Sequence, residues 1–322
     1  MFKSKSLFFI LTETPVHAGA GESVGHVDLP LQRDVVKEIP IIQPSEIKGP
    51  LRDYLTNYLN LKQETENPNL KQETENPNLK QKTEILFGPE EKGDEYSSCI
   101  SFTEAKILFF PVKSIYGIFA YITSPLVLNE FFRLFHFIDE KINFSLNEIL
   151  QYDTCYITNN DSIITNNNKV YLGEFVFNVQ QKDIKVNDKN IFEFFRDIIF
   201  PVNEEYKYWK DNFPKRTIIV SDNMFKDLVN LSTEVVTRNR INDEIGVVDE
   251  EEGGLWDEEN LPSDTILYSG LFVIDPYKKN EIIKDHKEGL DFLRKNLNKK
   301  RVQIGGHKTI GRGFVFINFY NS

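Results

Sequence analysis

The chain has 322 residues, 40% of them hydrophobic and 13% aromatic, enough to bury an ample core in one elaborated domain or two. Its two cysteines, Cys99 and Cys155, lie far apart with no C-x-x-C or Cys/His spacing, which argues against a disulfide framework or a structural zinc site and fits a reducing, cytoplasmic setting. The net charge of -11 argues at first sight against a polyanionic partner.

The first predicted element is a buried strand, Leu7 to Thr12, apolar and aromatic. The N-terminal MFKSKSLFFILTETP lacks a small-residue cleavage site, so no signal peptide is expected. A glycine loop follows, HAGAGESVGHVDLPLQRD from His17 to Asp34. It imitates a dinucleotide loop, but the interval from Gly21 to Gly25 is one residue too long for G-x-G-x-x-G. Pro30 and the mixed run after it also interrupt the helix that would have to face a pyrophosphate. The next helix is expected from a cap at Ser45, with Ile47, Leu51, Tyr54, Leu55 and Tyr58 at helical spacing. Gly49 and Pro50 confine its regular part to Leu51 onward. Then LKQETENPN occurs at 61–69, recurs at 70–78, and degrades to LKQKTE. Polar and interrupted by proline, this repeat reads as an inserted loop over 61–84 rather than a stacking solenoid.

Beyond it, ISFTEAKILFFPV and SIYGIFAYI read as strands and LVLNEFFRLFHFI as an amphipathic helix. The most apolar run, Ile115 to Leu128, is short and contains Ser124 and Pro125, so no membrane span is expected. The order then recurs: EFVFNVQ a strand, IFEFFRDIIF a helix, RTIIVS a strand, NMFKDLVNLST a helix started by Asp222 or Asn223, and TILYSGLFVI a strand. HKEGLDFLRKNL and RGFVFINFY close the chain as helix and strand. Hairpins mixed with crossovers favour a single α+β domain on a ferredoxin-like plan with insertions over a doubly wound sheet.

Charge is distributed unevenly. Between Ile241 and Asp264 there are ten acids and no Lys or Arg, and without them the chain is nearly neutral. From Phe292 to the end there are seven bases and no acid, a one-sided patch of the kind that binds phosphates. Inside that tail lies RVQIGGHKTIGRGFVF. It is not a Walker loop, since G-x-x-x-x-G-K-[ST] is absent and a strand follows. Gly305, Gly306, Gly311 and Gly313, flanked by Lys308 and Arg312, suit either a phosphate contact or a turn that needs glycines for its geometry.

Several segments taken in order, TETPVHAGAGESVGHVDLPLQRD, PSEIKGPLRDYL, FTEAKILFFPVKSIYGIFAYITSPLVL, LSTEVVTRNRIN, LWDEENLPSDTILYSGLF and VQIGGHKTIGRGFV, resemble the backbone RAMP subunit of the type III-B CRISPR effector, the Cmr complex. The likeness spans nearly the whole chain; the nonapeptide repeat lies outside it, and His26 departs from the small or aliphatic residue usual at its position. The resemblance implies an RRM-like ferredoxin core with a thumb hairpin over 238–265. It implies that copies of the chain polymerise along a guide RNA with other Cmr subunits, away from any membrane, and cut guide-paired target RNA at regular intervals. The aspartate of its V-D-x-P motif, here Asp28, would work with Mg²⁺ or Mn²⁺.

The chemistry is coherent. RNA carries its own nucleophile, the 2′-hydroxyl, and A-form pairing keeps that oxygen out of line with the phosphorus. A wedge that unstacks one pair, here assigned to Ile241, Val247 and Val248, breaks the A-form locally. A carboxylate at the kink acts as general base, contributing ~10²- to 10⁴-fold, or holds a divalent cation as a metal ligand. His17 and His26 are further acid–base candidates, and Glu258 and Glu259 sit at the thumb base. Lys48, Arg52, Lys308, Arg312 and Arg33 are assigned to guide phosphates, with Gly305 and Gly306 permitting close approach. Two other readings stand beside this one: a purely structural filament subunit, and a guide-processing RAMP ribonuclease with a histidine-led, metal-independent site.

Overall fold

The computed structural model describes residues 2–21, 27–58, 77–89, 97–142, 144–159, 161–239, 254–277 and 282–320. The wedge candidates Ile241, Val247 and Val248, His26 and most of the nonapeptide repeat lie outside them.

The chain is mixed α/β around one large mixed sheet. Its strands are β1 (Ser4–Thr12), β2 (Ile41–Ile42), β3 (Ile100–Phe102), β4 (Ala105–Lys113), β5 (Phe119–Thr123), β6 (Thr154–Ile157), β7 (Thr165–Asn166), β8 (Lys169–Leu172) and β9 (Phe175–Gln181). They continue with β10 (Lys185–Val186), β11 (Lys189–Asn190), β12 (Thr217–Ile219), β13 (Glu234–Asn239), β14 (Leu255–Asn260), β15 (Ile266–Val273), β16 (Lys300–Gln303) and β17 (Phe314–Phe319). Among the described residues the large sheet runs β16-β17-β1-β15-β4-β5-β12-β6-β9-β8-β7, with β2 on β4 and β3 on β15. β10–β11 and β13–β14 are separate antiparallel ribbons.

β1 explains why its sequence is continuously apolar rather than alternating. It is antiparallel to β15 on one edge and to β17 on the other, and Leu7 to Leu11 are buried on both faces. Phe9 stacks on Phe131 of the helix α3 (Pro125–Ile138), whose Val127, Leu128, Phe131, Phe132 and Phe135 form one buried stripe. The other face receives α7 (His286–Leu297), from which Arg294 donates to Ser6 Oγ at 3.0 Å. Four further helices are α1 (Pro44–Asp53), α2 (Pro77–Phe87), α4 (Ile191–Ile199) and α6 (Asp222–Leu231), with the short α5 (Lys207–Asn212) between the last two. Among the described residues no helix is long and apolar enough to cross a membrane.

Three expectations are corrected. α1 runs through Gly49 and Pro50 and starts after Gln43, not Ser45: Pro44 occupies the first turn, where its missing N–H costs nothing, and Glu46 accepts from Gln43 N at 3.2 Å. The degraded third repeat copy is not loop but part of α2, because Leu79 and Thr83 find buried places there. SIYGIFAYI is a strand only from Phe119; Gly117 and Ile118 take positive φ and turn the chain before it.

Candidate functional site

The site begins where β1 ends. Val16 exchanges both backbone hydrogen bonds with Leu261, at 2.9 Å each, so the chain leaving β1 is tied to the chain leaving β14. The glycine loop then folds back on itself, with Ala20 N donating to Pro30 O (2.9 Å) and Gln32 N to Ala18 O (2.8 Å). Its returning limb lies alongside β14: Leu29 N donates to Asp257 O and Glu259 N to Leu29 O, both at 3.0 Å. Asp28 stands at the head of that limb, exposed, with Oδ2 accepting from Asp257 N at 2.8 Å.

Two of the acids of β14, Glu258 and Glu259, are interior residues. Glu259 is 4% exposed and fully engaged: Leu31 N donates at 2.9 Å, Thr233 Oγ1 at 2.8 Å, and the Arg33 guanidinium grips both carboxylate oxygens, Nη1 at 2.8 Å. Burial works to raise its pKa, but the Arg33 and Leu31 hydrogen bonds outweigh burial and hold the carboxyl below its ordinary value. Glu258, 1% exposed, accepts from Trp256 Nε1 at 2.9 Å and Arg238 Nε at 2.8 Å. Burial again opposes ionisation, and the Trp256 and Arg238 bonds again prevail. Neither carboxylate is free to take a proton from RNA, and Arg33 is committed to Glu259 rather than left to meet a phosphate.

His17 is buried, with Nδ1 2.7 Å from Glu259 O. A carbonyl only accepts, so the network assigns the proton to Nδ1 and the lone pair of the neutral ring to Nε2. A Cβ on Gly19 would sit 2.6 Å from that Nε2, which is why a glycine stands there. The second glycine cluster docks on the first. Gly306 N donates to His17 O at 3.0 Å and Gly313 N to Pro15 O at 2.8 Å. Gly305, at φ 81°, approaches so closely that a Cβ would lie 2.3 Å from His17 O. Gly305, Gly306 and Gly313 serve this packing, and Arg312 pairs with Glu234 at 2.7 Å. Lys308 remains exposed. Lys48 and Arg52 lie four residues apart on α1, where burial first and the Arg52 charge second push Lys48 below its usual pKa.

The site is thus a junction of two glycine loops with the foot of the β13–β14 ribbon, spanning most of the chain. A model of the RAMP superfamily matches residues 9–316. The chain belongs to the RAMP superfamily. Among similar RAMP proteins, the Cmr endoribonuclease Cmr4 of Pyrococcus furiosus is 39% identical over 308 residues, 95% of this chain and 92% of that protein. The CMR subunit Cmr4 of Saccharolobus solfataricus is 26% identical over 335 residues, 98% and 96% of the two chains. Oligomeric Cmr4 from Pyrococcus furiosus superposes with a TM-score of 0.68 at 30% identity, covering 99% of this chain and 98% of that one. A chain of the type III-B Cmr-beta complex bound to cognate target RNA shares the fold, with a TM-score of 0.68 at 23% identity.

Set on this RAMP frame, Asp28, His17, Glu258, Glu259, Arg33, Gly305, Gly306 and Arg312 come together, while Lys48 and Arg52 sit on α1. Sequence reasoning missed His307, whose ring stacks on His17 at 4.9 Å and 26°. It also missed Arg238 and Thr233 as partners of the buried acids. The signal was present in the acids themselves: carboxylates on a strand beside an apolar run need cations within reach. For the divalent cation, no three His, Cys, Asp or Glu side chains converge among the described residues. A single exposed carboxylate still fits Mg²⁺, which keeps several waters and binds through one or two carboxylates plus substrate phosphates.

Proposed function

We propose that this chain is a guide-RNA-binding backbone subunit of a type III-B Cmr complex that cuts guide-paired target RNA at regular intervals. Copies of it would assemble with other Cmr subunits in the cytoplasm around a ferredoxin-like core, with β13–β14 as the root of a thumb. The observation that carries the reading is Asp28, an exposed carboxylate pinned by Asp257 N–H at the foot of that ribbon, in a chain 39% identical to a Cmr endoribonuclease.

The thumb unstacks one base pair, which frees the local backbone to bring the 2′-oxygen in line with the phosphorus and the departing 5′-oxygen. Positioning of this kind is worth about 7–11 kcal/mol when the geometry is well met. Asp28 would hold Mg²⁺ or Mn²⁺, and the cation would supply charge stabilisation at the scissile phosphate. Lys48, Arg52 and Lys308 contact guide phosphates, a sequence-independent interaction.

The test is Asp28→Asn in the assembled complex. It keeps size and hydrogen-bonding reach but loses the negative charge, so assembly and target binding are expected to persist while cutting stops. The wild type is expected to need the cation and to leave a 2′,3′-cyclic phosphate and a 5′-hydroxyl. A fully active Asp28→Asn complex overturns the assignment, and a 5′-phosphate end shows that water attacked instead.

A further inference from the structure

His307 stacks on His17 and also sits beside the buried acid Glu258. It adopts φ 62°, a left-handed conformation that histidine tolerates better than most side chains, between Gly306 and the exposed Lys308. Its Nδ1 is buried and makes no hydrogen bond among the described residues, and it lies 3.4 Å from Glu258 Oε2. The contact is one of charge rather than a hydrogen bond: a carboxylate 3.4 Å away repels a facing lone pair and attracts an N–H, which favours the proton on Nδ1 and leaves the lone pair of the neutral ring on Nε2. About a quarter of the side chain, 26%, is accessible, and that part lies away from Nδ1.

A buried carboxylate beside one ring nitrogen is an arrangement that orients the ring as a proton acceptor through the other. Glu258 is a rigid anchor because Trp256 and Arg238 already hold it. Asp28 is tied to the same stretch of strand: its carboxylate receives Asp257 N–H, and Leu29 pairs with Glu258. His307 and Asp28 therefore flank residues 257 and 258 of β14.

We propose that His307, oriented by Glu258, takes the proton of the RNA 2′-hydroxyl beside Asp28. The proposal rests on the reading that the complex cuts RNA. As the proton passes from O2′ to Nε2, the O2′–P bond forms and the P–O5′ bond breaks; the 5′-oxygen leaves with a proton from water, and the imidazolium returns its proton to solvent. The surroundings keep the ring available for this. Burial lowers its pKa, Glu258 on β14 raises it, and His17 on the glycine loop, Arg238 on β13 and Arg312 on its own loop lower it, with a net fall below the ordinary imidazole value.

The test uses assembled complexes in single-turnover cutting of guide-paired target, with His307→Asn, which tolerates the left-handed backbone, and His307→Phe, which keeps the stack on His17 but carries no proton. Both are expected to bind target normally and to cut at least ~100-fold more slowly near neutral pH. Both are also expected to lose the wild type's acid limb, a fall in rate as pH drops below the ordinary histidine range. Cutting by either variant within about threefold of wild type, or slow cutting with the wild-type pH profile, overturns the proposal. Should neither variant assemble, the wild-type profile decides, and a rate that stays flat down to about pH 4.5 overturns it. A wild type that does not cut, or an active Asp28→Asn, defeats the functional reading instead.

Discussion

Arg33 and Glu259 make the most demanding contact at the site. Glu259 is nearly inaccessible and meets a bidentate guanidinium, so removing Arg33 strands a buried charge. Arg33→Ala is expected to cost about 3–5 kcal/mol in denaturant unfolding. The pH dependence follows from the depressed pKa of Glu259. Its stabilisation is complete above the ordinary carboxylate range and is lost as pH falls through the folded value, so wild type and Glu259→Gln should converge in stability on acidification. A gap that widens toward acid contradicts the assignment. Gly305 and Gly311 offer a second comparison at this scale. Both have φ near 80°, but only Gly305 faces a backbone oxygen that a Cβ would strike. Gly311→Ala is expected to cost ~1–2 kcal/mol from backbone conformation alone, and Gly305→Ala clearly more, by thermal or urea melts of the two variants side by side.

Among the elements, α2 and the repeat before it are coupled in a simple way. Residues 61–69 and 70–78 are identical, so deleting Leu70 to Asn78 places Pro68 and Asn69 directly before Leu79 and rebuilds the start of α2, Pro77–Asn78, with the same two residue types. The deletion is expected to change unfolding free energy by no more than ~0.5 kcal/mol, and lost assembly would identify the repeat as an interface. The elements also show where sequence was legible. α7 spans HKEGLDFLRKNL as read, because Asp285 caps it through Lys287 N and Glu288 N and the apolar residues recur at helical spacing. α1 was misread because proline and glycine were weighed as breakers without regard to position; the helix runs through both and ends three residues after Pro50. The site was legible as two glycine segments and one aspartate. That Glu258 and Glu259 are interior residues depends on Arg238 and Arg33, far apart in sequence, and no local pattern carries that information.

For the whole molecule, the acidic total conceals an arrangement in which the tail's charges do different work. Arg294 binds Ser6 Oγ, Arg301 pairs with Glu13 and Glu205, and Arg312 pairs with Glu234, while Lys308 is exposed. Replacing Lys48 and Arg52 with Ala is expected to weaken guide binding regardless of sequence and to reduce the log–log salt slope by about 1 per lost phosphate contact, by filter binding or fluorescence titration across salt. An unchanged slope removes both residues from the interface.

The position of β1 governs how this protein must be made. The strand leaves the ribosome well before both of its neighbours, β15 and β17, with Ser4 opposite Val273 and Thr12 opposite Val315. At about 5–20 residues per second, an intensely apolar strand with two open edges therefore waits tens of seconds for its partners, the state in which chains are most prone to stick to one another. Val16 cannot meet Leu261, nor Leu29 meet Glu258, until most of the chain exists, so the backbone around Asp28 takes its place only late in synthesis.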